Sequence, residues 1–189
     1  MTYRQSRQLN EFARAIILAS CGADQEATLP ENVDSEGYAP ALLEMGKNED
    51  LVVQWLAQRI REIEKLVGRL PSVAIFVNSE SEVQTIATAL GAALVNNSIH
   101  VVACANGQVI GQDNDVRVFD IQHIKGLEFE AVFFIGIDRL AKLHPQLFDK
   151  YLYVGTTRAA TYMGLTCDTS LPAAIESLRP MLVPDWKTP

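Results

Sequence analysis

The sequence lacks several things that would place it quickly. Its longest apolar runs, such as Ala131 to Ile135, are far too short to span a bilayer, so no membrane segment is expected. No signal peptide opens the chain, and the cytoplasm is the default expectation. Cysteine is scarce: Cys21, Cys104 and Cys167 lie far apart with no CxxC pair, which excludes a zinc ribbon and points to a reducing compartment with each thiol a small core residue. Basic charge is also short. Sixteen Lys and Arg face 23 Asp and Glu, a net charge of −7, so any contact with nucleic acid must use a local strip rather than an overall field. There is no Gly-x-x-x-x-Gly-Lys-Ser/Thr phosphate loop. Gly46-Lys47-Asn48 has neither the spacing nor the hydroxyl, and no acidic pair follows a strand in the Walker B manner. No internal repeat or low-complexity tract is present.

What remains is an ordinary globular composition, 48% apolar and 21% charged over 189 residues, enough for one domain with a full core. Helix and strand signals alternate. Ser6 is positioned to cap a helix bearing Leu9, Ala13, Ile16 and Ile17, with Gly22 as its stop. Residues 23–39 read as a polar loop, and Ala41 to Met45 as a short strand. Asn48 followed by Glu49 and Asp50 starts a helix that keeps apolar spacing from Leu51 to Val67 and ends at Gly68 and Pro71. Val73 to Val77 has the composition of a buried strand. Ser79 and Glu82 form a capping box for a helix through Leu90 that ends at Gly91. His100 to Cys104 is a further strand and 106–115 a turn-rich connection. Pro145 opens a helix through Val154, Tyr162 to Cys167 is a last strand, and Pro172 to Leu178 a terminal helix. This alternation predicts a doubly wound α/β domain with a mostly parallel sheet.

The stretch Val116 to Gly136 organises the rest. Apolar runs at 116–121 and 131–135 enclose Lys125-Gly126-Leu127-Glu128-Phe129. Such a knot of charge and glycine suits a binding loop at the carboxyl ends of the strands, although a tight turn with solvated charges would give the same five residues. Further on stands Tyr153-Val154-Gly155-Thr156-Thr157-Arg158-Ala159, with Arg158 30 positions after Glu128.

KGLEF followed by YVGTTRA resembles motifs V and VI of superfamily-1 helicases of the UvrD/Rep/PcrA type, and the opening Tyr3-Arg4 before a helix resembles motif IV. The resemblance covers Tyr3 to about Cys167, and is specific at 125–129 and 153–159. It implies a RecA-like three-layer sandwich, 1–189 as a single domain, that is the second lobe of a helicase motor. It further implies that Arg158 and Arg4 act on the γ-phosphate as catalytic residues. Arginine suits this because its planar fork stays charged and binds two phosphate oxygens. Gly126, Glu128, Lys125 and Tyr153 would bind ATP: Glu128 at the ribose, Lys125 near phosphate, Tyr153 packed beside the nucleotide, with Thr156 and Thr157 holding the helix end. The family carries Thr-x-His upstream of KGLEF to touch the single strand. Here Asp120 and Gln122 stand at those places and His123 falls one place later, so Gln122 and His123 are the nucleic-acid candidates. The implied cofactors are ATP and Mg²⁺, with the Mg²⁺ ligands on a preceding lobe and no metal ligands in this chain. The implied partners are single-stranded or partly duplex DNA and that N-terminal RecA-like lobe of the same protein. Only 25 residues lie between Leu90 and Val116, so the insertion common before motif V is absent or vestigial. A RecD-like helicase shares the motifs. A scaffold or regulatory module that kept the fold without turnover is the alternative of another class.

Overall fold

The computed structural model describes residues 5–21, 35–124 and 126–187. Six strands form one sheet: β1 (Ala41–Leu43), β2 (Val73–Val77), β3 (Val101–Ala103), β4 (Val116–Asp120), β5 (Phe129–Phe134) and β6 (Ala159–Thr166). Their order is β1-β6-β5-β2-β4-β3, and every neighbouring pair is parallel. All amino ends therefore lie along one edge of the sheet and all carboxyl ends along the other. The central strands are apolar on both faces, as a sheet covered by helices on both sides requires.

Five α-helices supply that cover: α1 (Arg7–Cys21), α2 (Glu49–Val67), α3 (Glu80–Leu94), α4 (Ile137–Leu143) and α5 (Phe148–Thr157). One core layer joins α2 and α3 to the sheet through Trp55, Ile60, Leu90, Ile75 and Phe133. The other joins α1, α4 and α5 through Phe12, Phe76, Phe119, Phe134, Leu140 and Leu152. Phe76 meets Phe119, Phe129 and Phe134 edge-on at 6.0–6.5 Å between ring centres, which favours the ring quadrupoles. Cys104 and Cys167 are fully buried, and burial raises both thiols above their ordinary pKa, so they pack as small apolar groups. Among the described residues no helix is long and apolar enough to cross a membrane.

The helix with the clearest signals, α2, follows them. Asn48 accepts a hydrogen bond from the Asp50 N–H, and Gly68 closes the helix in the left-handed conformation with its N–H on the Glu64 carbonyl. Several boundaries differ from expectation. Ser6 precedes α1, but its hydroxyl is buried without a hydrogen-bond partner and caps nothing. The proposed stop at Gly22 lies outside the described residues. Helix α3 runs on through Gly91 to Leu94, because a helical glycine is tolerated where the face around it stays apolar. Its capping box is displaced: Glu82 accepts from the Asn78 N–H rather than the Ser79 N–H, and the Ser79 hydroxyl donates to the Glu82 carboxylate at 3.4 Å instead of capping the helix. Pro145 precedes rather than opens α5, which starts at Phe148. The terminal segment Ala173–Met181 is a 3₁₀ helix kinked at Ile175.

Candidate functional site

The residues singled out in the sequence divide between the two edges of the sheet, and KGLEF lies at the edge opposite to the one expected. Strand β4 ends at the carboxyl edge, and β5 begins at the amino edge. Between them Ile121–Ile124 and Gly126–Glu128 lie along the α1/α5 face, a return within reach for a chain extending up to about 3.5 Å per residue. Ile121 is buried in the core layer, and Ile124 and Leu127 pack against it. Gly126 and Glu128 therefore stand at the amino ends of the strands. Gly126 adopts φ +62°, and an added Cβ would meet nothing within 4 Å, so backbone conformation rather than crowding requires the glycine.

At this amino edge the motif segments are tied together through the backbone. The Phe129 N–H donates to the Arg158 carbonyl at 2.8 Å, joining KGLEF to YVGTTRA. Gln5, the residue after Arg4, donates from Nε2 to the carbonyls of Thr156 (2.8 Å) and Ala159 (2.9 Å), on either side of Arg158. The Ser6 N–H continues this pairing to the Ala160 carbonyl. Thr156 and Thr157 turn their hydroxyls back to the carbonyls of Leu152 and Val154 and so hold the last turn of α5. Arg158 is the residue that closes α5, and β6 begins at the next position, three residues before the expected start.

The Arg158 side chain is half-buried. Among the described residues its guanidinium meets no carboxylate, and its Nε is buried without a hydrogen-bond partner. A buried guanidinium donor without an acceptor is costly; Arg59 Nε and Arg139 Nε share that state, but those two side chains are held in ion pairs. Tyr153 is half-buried and packs against the same core layer. Glu128 is half-buried on the rim of an open groove of about 1000 Å³ that Arg69, Ser72, Asn97 and Arg117 also line. Neither Tyr153 nor Arg158 lines that groove. Arg4 and Lys125 lie outside the described residues.

At the carboxyl edge, Asp120 explains its own departure from the family pattern. It is 4% exposed, and its Oδ1 accepts from the Gln122 N–H at 2.9 Å, capping the 3₁₀ turn Ile121–His123. The carboxylate is turned into the protein. The Gln122 and His123 side chains remain exposed, and His123 Nδ1 lies 3.0 Å from Glu80 Oε2. One strand length, about 15 Å, thus separates the proposed nucleic-acid residues from Glu128.

Two residues with clear roles here were not singled out in the sequence. Gln5 gave no signal beyond its place beside Arg4. Gly155 did, because it stands inside the matched heptapeptide: an added Cβ would lie 2.8 Å from Phe134 Cδ2 and 3.0 Å from Phe134 Cε2. Helix α5 can therefore lie this close to the sheet only without a side chain there. Gly155→Val is expected to cost about 1–3 kcal/mol by overpacking, seen as a lowered thermal midpoint, with Gly155→Ala between it and the wild type. An unchanged midpoint for Gly155→Val would show that the helix is free to move away.

Residues 115–166 match the UvrD-like helicase C-terminal domain family. The matched span runs from the start of β4 to the end of β6 and contains both KGLEF and YVGTTRA. The fold is similar to the crystal structure of the C-terminal domain of a possible DNA helicase from Lactobacillus plantarum WCFS1, with a TM-score of 0.70 and 17% sequence identity, covering 96% of this chain and 98% of that one. No curated protein matches the sequence.

Proposed function

We propose that this chain is the second motor lobe of an ATP-dependent, UvrD-like DNA helicase or translocase, and that it holds one side of an ATP site completed by a preceding lobe. The observation that carries this reading is the joining of the motif segments at the amino edge, where Gln5 and Phe129 bind the backbone around Arg158 and its guanidinium meets no carboxylate among the described residues. The residues fit a nucleoside triphosphate from one side: a guanidinium with no ion pair among the described residues for the phosphates, a carboxylate at a groove rim for the ribose, and a glycine in the left-handed conformation. ATP would supply the phosphoryl group whose transfer to water releases the energy for movement.

In this reading Arg158 brings positive charge to the outer phosphate oxygens when the lobes close, and Glu128 orients the ribose. Tyr153 packs beside the nucleotide, while Gly126 lets the backbone come close to it. Arg4 and Lys125 are assigned phosphate contacts on the family pattern alone. Gln122 and His123 face the DNA strand at the opposite edge. Residues 121–128 link the two ends, anchored by Ile121, Ile124 and Leu127, so a shift at the strand side is transmitted toward Glu128. Mg²⁺ ligands belong to the preceding lobe.

The reading is tested on the chain by itself. Positioning and metal-assisted charge stabilisation supply most of phosphoryl-transfer catalysis, and this sequence has no phosphate loop. The purified 189-residue chain should show no measurable ATP turnover with or without single-stranded DNA. DNA-stimulated turnover above about 1 per second would overturn the two-lobe arrangement.

A further inference from the structure

At the carboxyl edge, three side chains meet whose own hydrogen bonds leave one of them unserved. Glu80 opens α3, Asp120 ends β4, and His123 ends the 3₁₀ turn that follows. Each carboxylate gives one oxygen to a backbone amide: Glu80 Oε1 accepts from Asn106 N–H at 2.6 Å, and Asp120 Oδ1 from Gln122 N–H at 2.9 Å. The second oxygen of each faces the same ring nitrogen. Glu80 Oε2 is 3.0 Å and Asp120 Oδ2 3.9 Å from His123 Nδ1. A proton on Nδ1 can be donated to Glu80, but 3.9 Å is too long for a hydrogen bond to Asp120. The Asp120 side chain is only 5% exposed, and its second oxygen accepts no hydrogen bond among the described residues.

We propose that Glu80 Oε2, Asp120 Oδ2 and His123 Nδ1 form the protein side of a site for a divalent transition cation, with water filling the remaining positions. The three donor atoms all lie within 4.8 Å of one another. Ligand bonds of about 2.0–2.2 Å place neighbouring ligands roughly 3.0–3.5 Å apart, and the two separations from Nδ1 bracket that range. One imidazole with two carboxylates suits Mn²⁺, Co²⁺ or Zn²⁺ better than Ca²⁺, which prefers oxygen ligands alone. The amides of Asn106 and Gln122 orient the two carboxylates as outer partners orient ligands in metal sites. The 105–107 turn also holds His123 in place: Gly107 sits so close that an added Cβ would be 2.7 Å from the His123 carbonyl oxygen.

The ion would neutralise two carboxylates beside the exposed Gln122. If the proposed function holds, it would make that edge tolerant of a phosphate backbone that the bare carboxylates repel. The site itself does not depend on that reading.

The test is a titration of the purified chain with Co²⁺, followed by its visible absorption, and with Zn²⁺ by calorimetry. One ion per chain is expected, with a Kd below about 100 μM. His123→Ala and Glu80→Gln, each confirmed as folded by circular dichroism, should each weaken binding at least tenfold, by analogy with the effect of removing outer-shell partners. Absence of saturable binding up to millimolar Co²⁺ would overturn the proposal. So would binding that survives both substitutions, which would assign the ion to other donors such as His100 and Asp115. Neither result bears on ATP turnover, so failure here is distinguishable from failure of the motor assignment.

Discussion

In the complete motor, Arg158→Ala is expected to lower kcat for ATP hydrolysis by about 10³ to 10⁵, or ~4 to 7 kcal/mol in the barrier, with the fold unchanged. The phosphoryl transition state spreads negative charge over its outer oxygens. A guanidinium brought up from the second lobe meets that charge only on closure, so it lowers the barrier more than it tightens ground-state binding. The structure supplies a side chain suited to this. Arg158 makes no ion pair among the described residues, while the backbone around it is fixed by Gln5 and Phe129. The substitution removes no contact that holds α5, because the hydrogen bonds at Arg158 use its N–H and carbonyl. Arg158→Lys should recover little, since an ammonium cannot make the planar two-pronged contact. Steady-state ATPase assays with circular dichroism decide the matter. A kcat for Arg158→Ala within about threefold of wild type, under ~1 kcal/mol, would remove Arg158 from the reaction.

Asp138→Ala is expected to have the largest effect on stability among polar substitutions, about 3–5 kcal/mol, through loss of charge-assisted hydrogen bonds and stranding of their donors. Asp138 is 6% exposed in the first turn of α4. Its carboxylate accepts from the amides of Asp168 (2.8 Å), Thr169 (3.0 Å) and Arg139 (3.1 Å) and from the Thr169 hydroxyl (3.0 Å). It thereby fastens α4 to the chain leaving β6. Burial by itself would raise its pKa; the hydrogen bonds from Thr169, Asp168 and Arg139 outweigh burial and hold it below the ordinary value. The folded pKa is thus depressed, so this contribution is fully present above the unfolded value, about 3.9, and is lost as pH falls through the folded one. Urea unfolding at pH 7 should show the full difference between wild type and Asp138→Ala, and the difference should shrink only in acid below about pH 4. Asp138→Asn, which keeps one acceptor oxygen, should fall between them. A difference under ~1 kcal/mol at pH 7 would mean that the loop after β6 finds other acceptors.

Much of this was legible in the sequence, because α2 is bounded by residues that act locally. Asn48 caps its start and Gly68 its end, and both needed only their neighbours. The motif residues were equally legible as motifs. Their placement was not, because the position of KGLEF follows from strand direction. Once β4 and β5 are parallel, the chain must recross the sheet before β5 can begin, so Glu128 belongs to the amino edge. Helix α4 escaped notice for a different reason. It is seven residues long and follows Gly136, which has no side chain to cap it and stands at φ +63°. Its fixing point is Asp138, whose partners lie 30 and 31 residues away. Asp120 read only as a departure from the family's Thr, and the turn it caps shows where its charge is directed.

The most direct test of the half-site is the affinity of the complete protein for ADP with aluminium fluoride, a mimic of the transferring phosphoryl group, set against a non-hydrolysable ATP analogue. The account predicts that Arg158→Ala weakens the transition-state mimic by at least about 100-fold and the ground-state analogue by less than about fivefold. Equal affinities of wild type and Arg158→Ala for the mimic would contradict it.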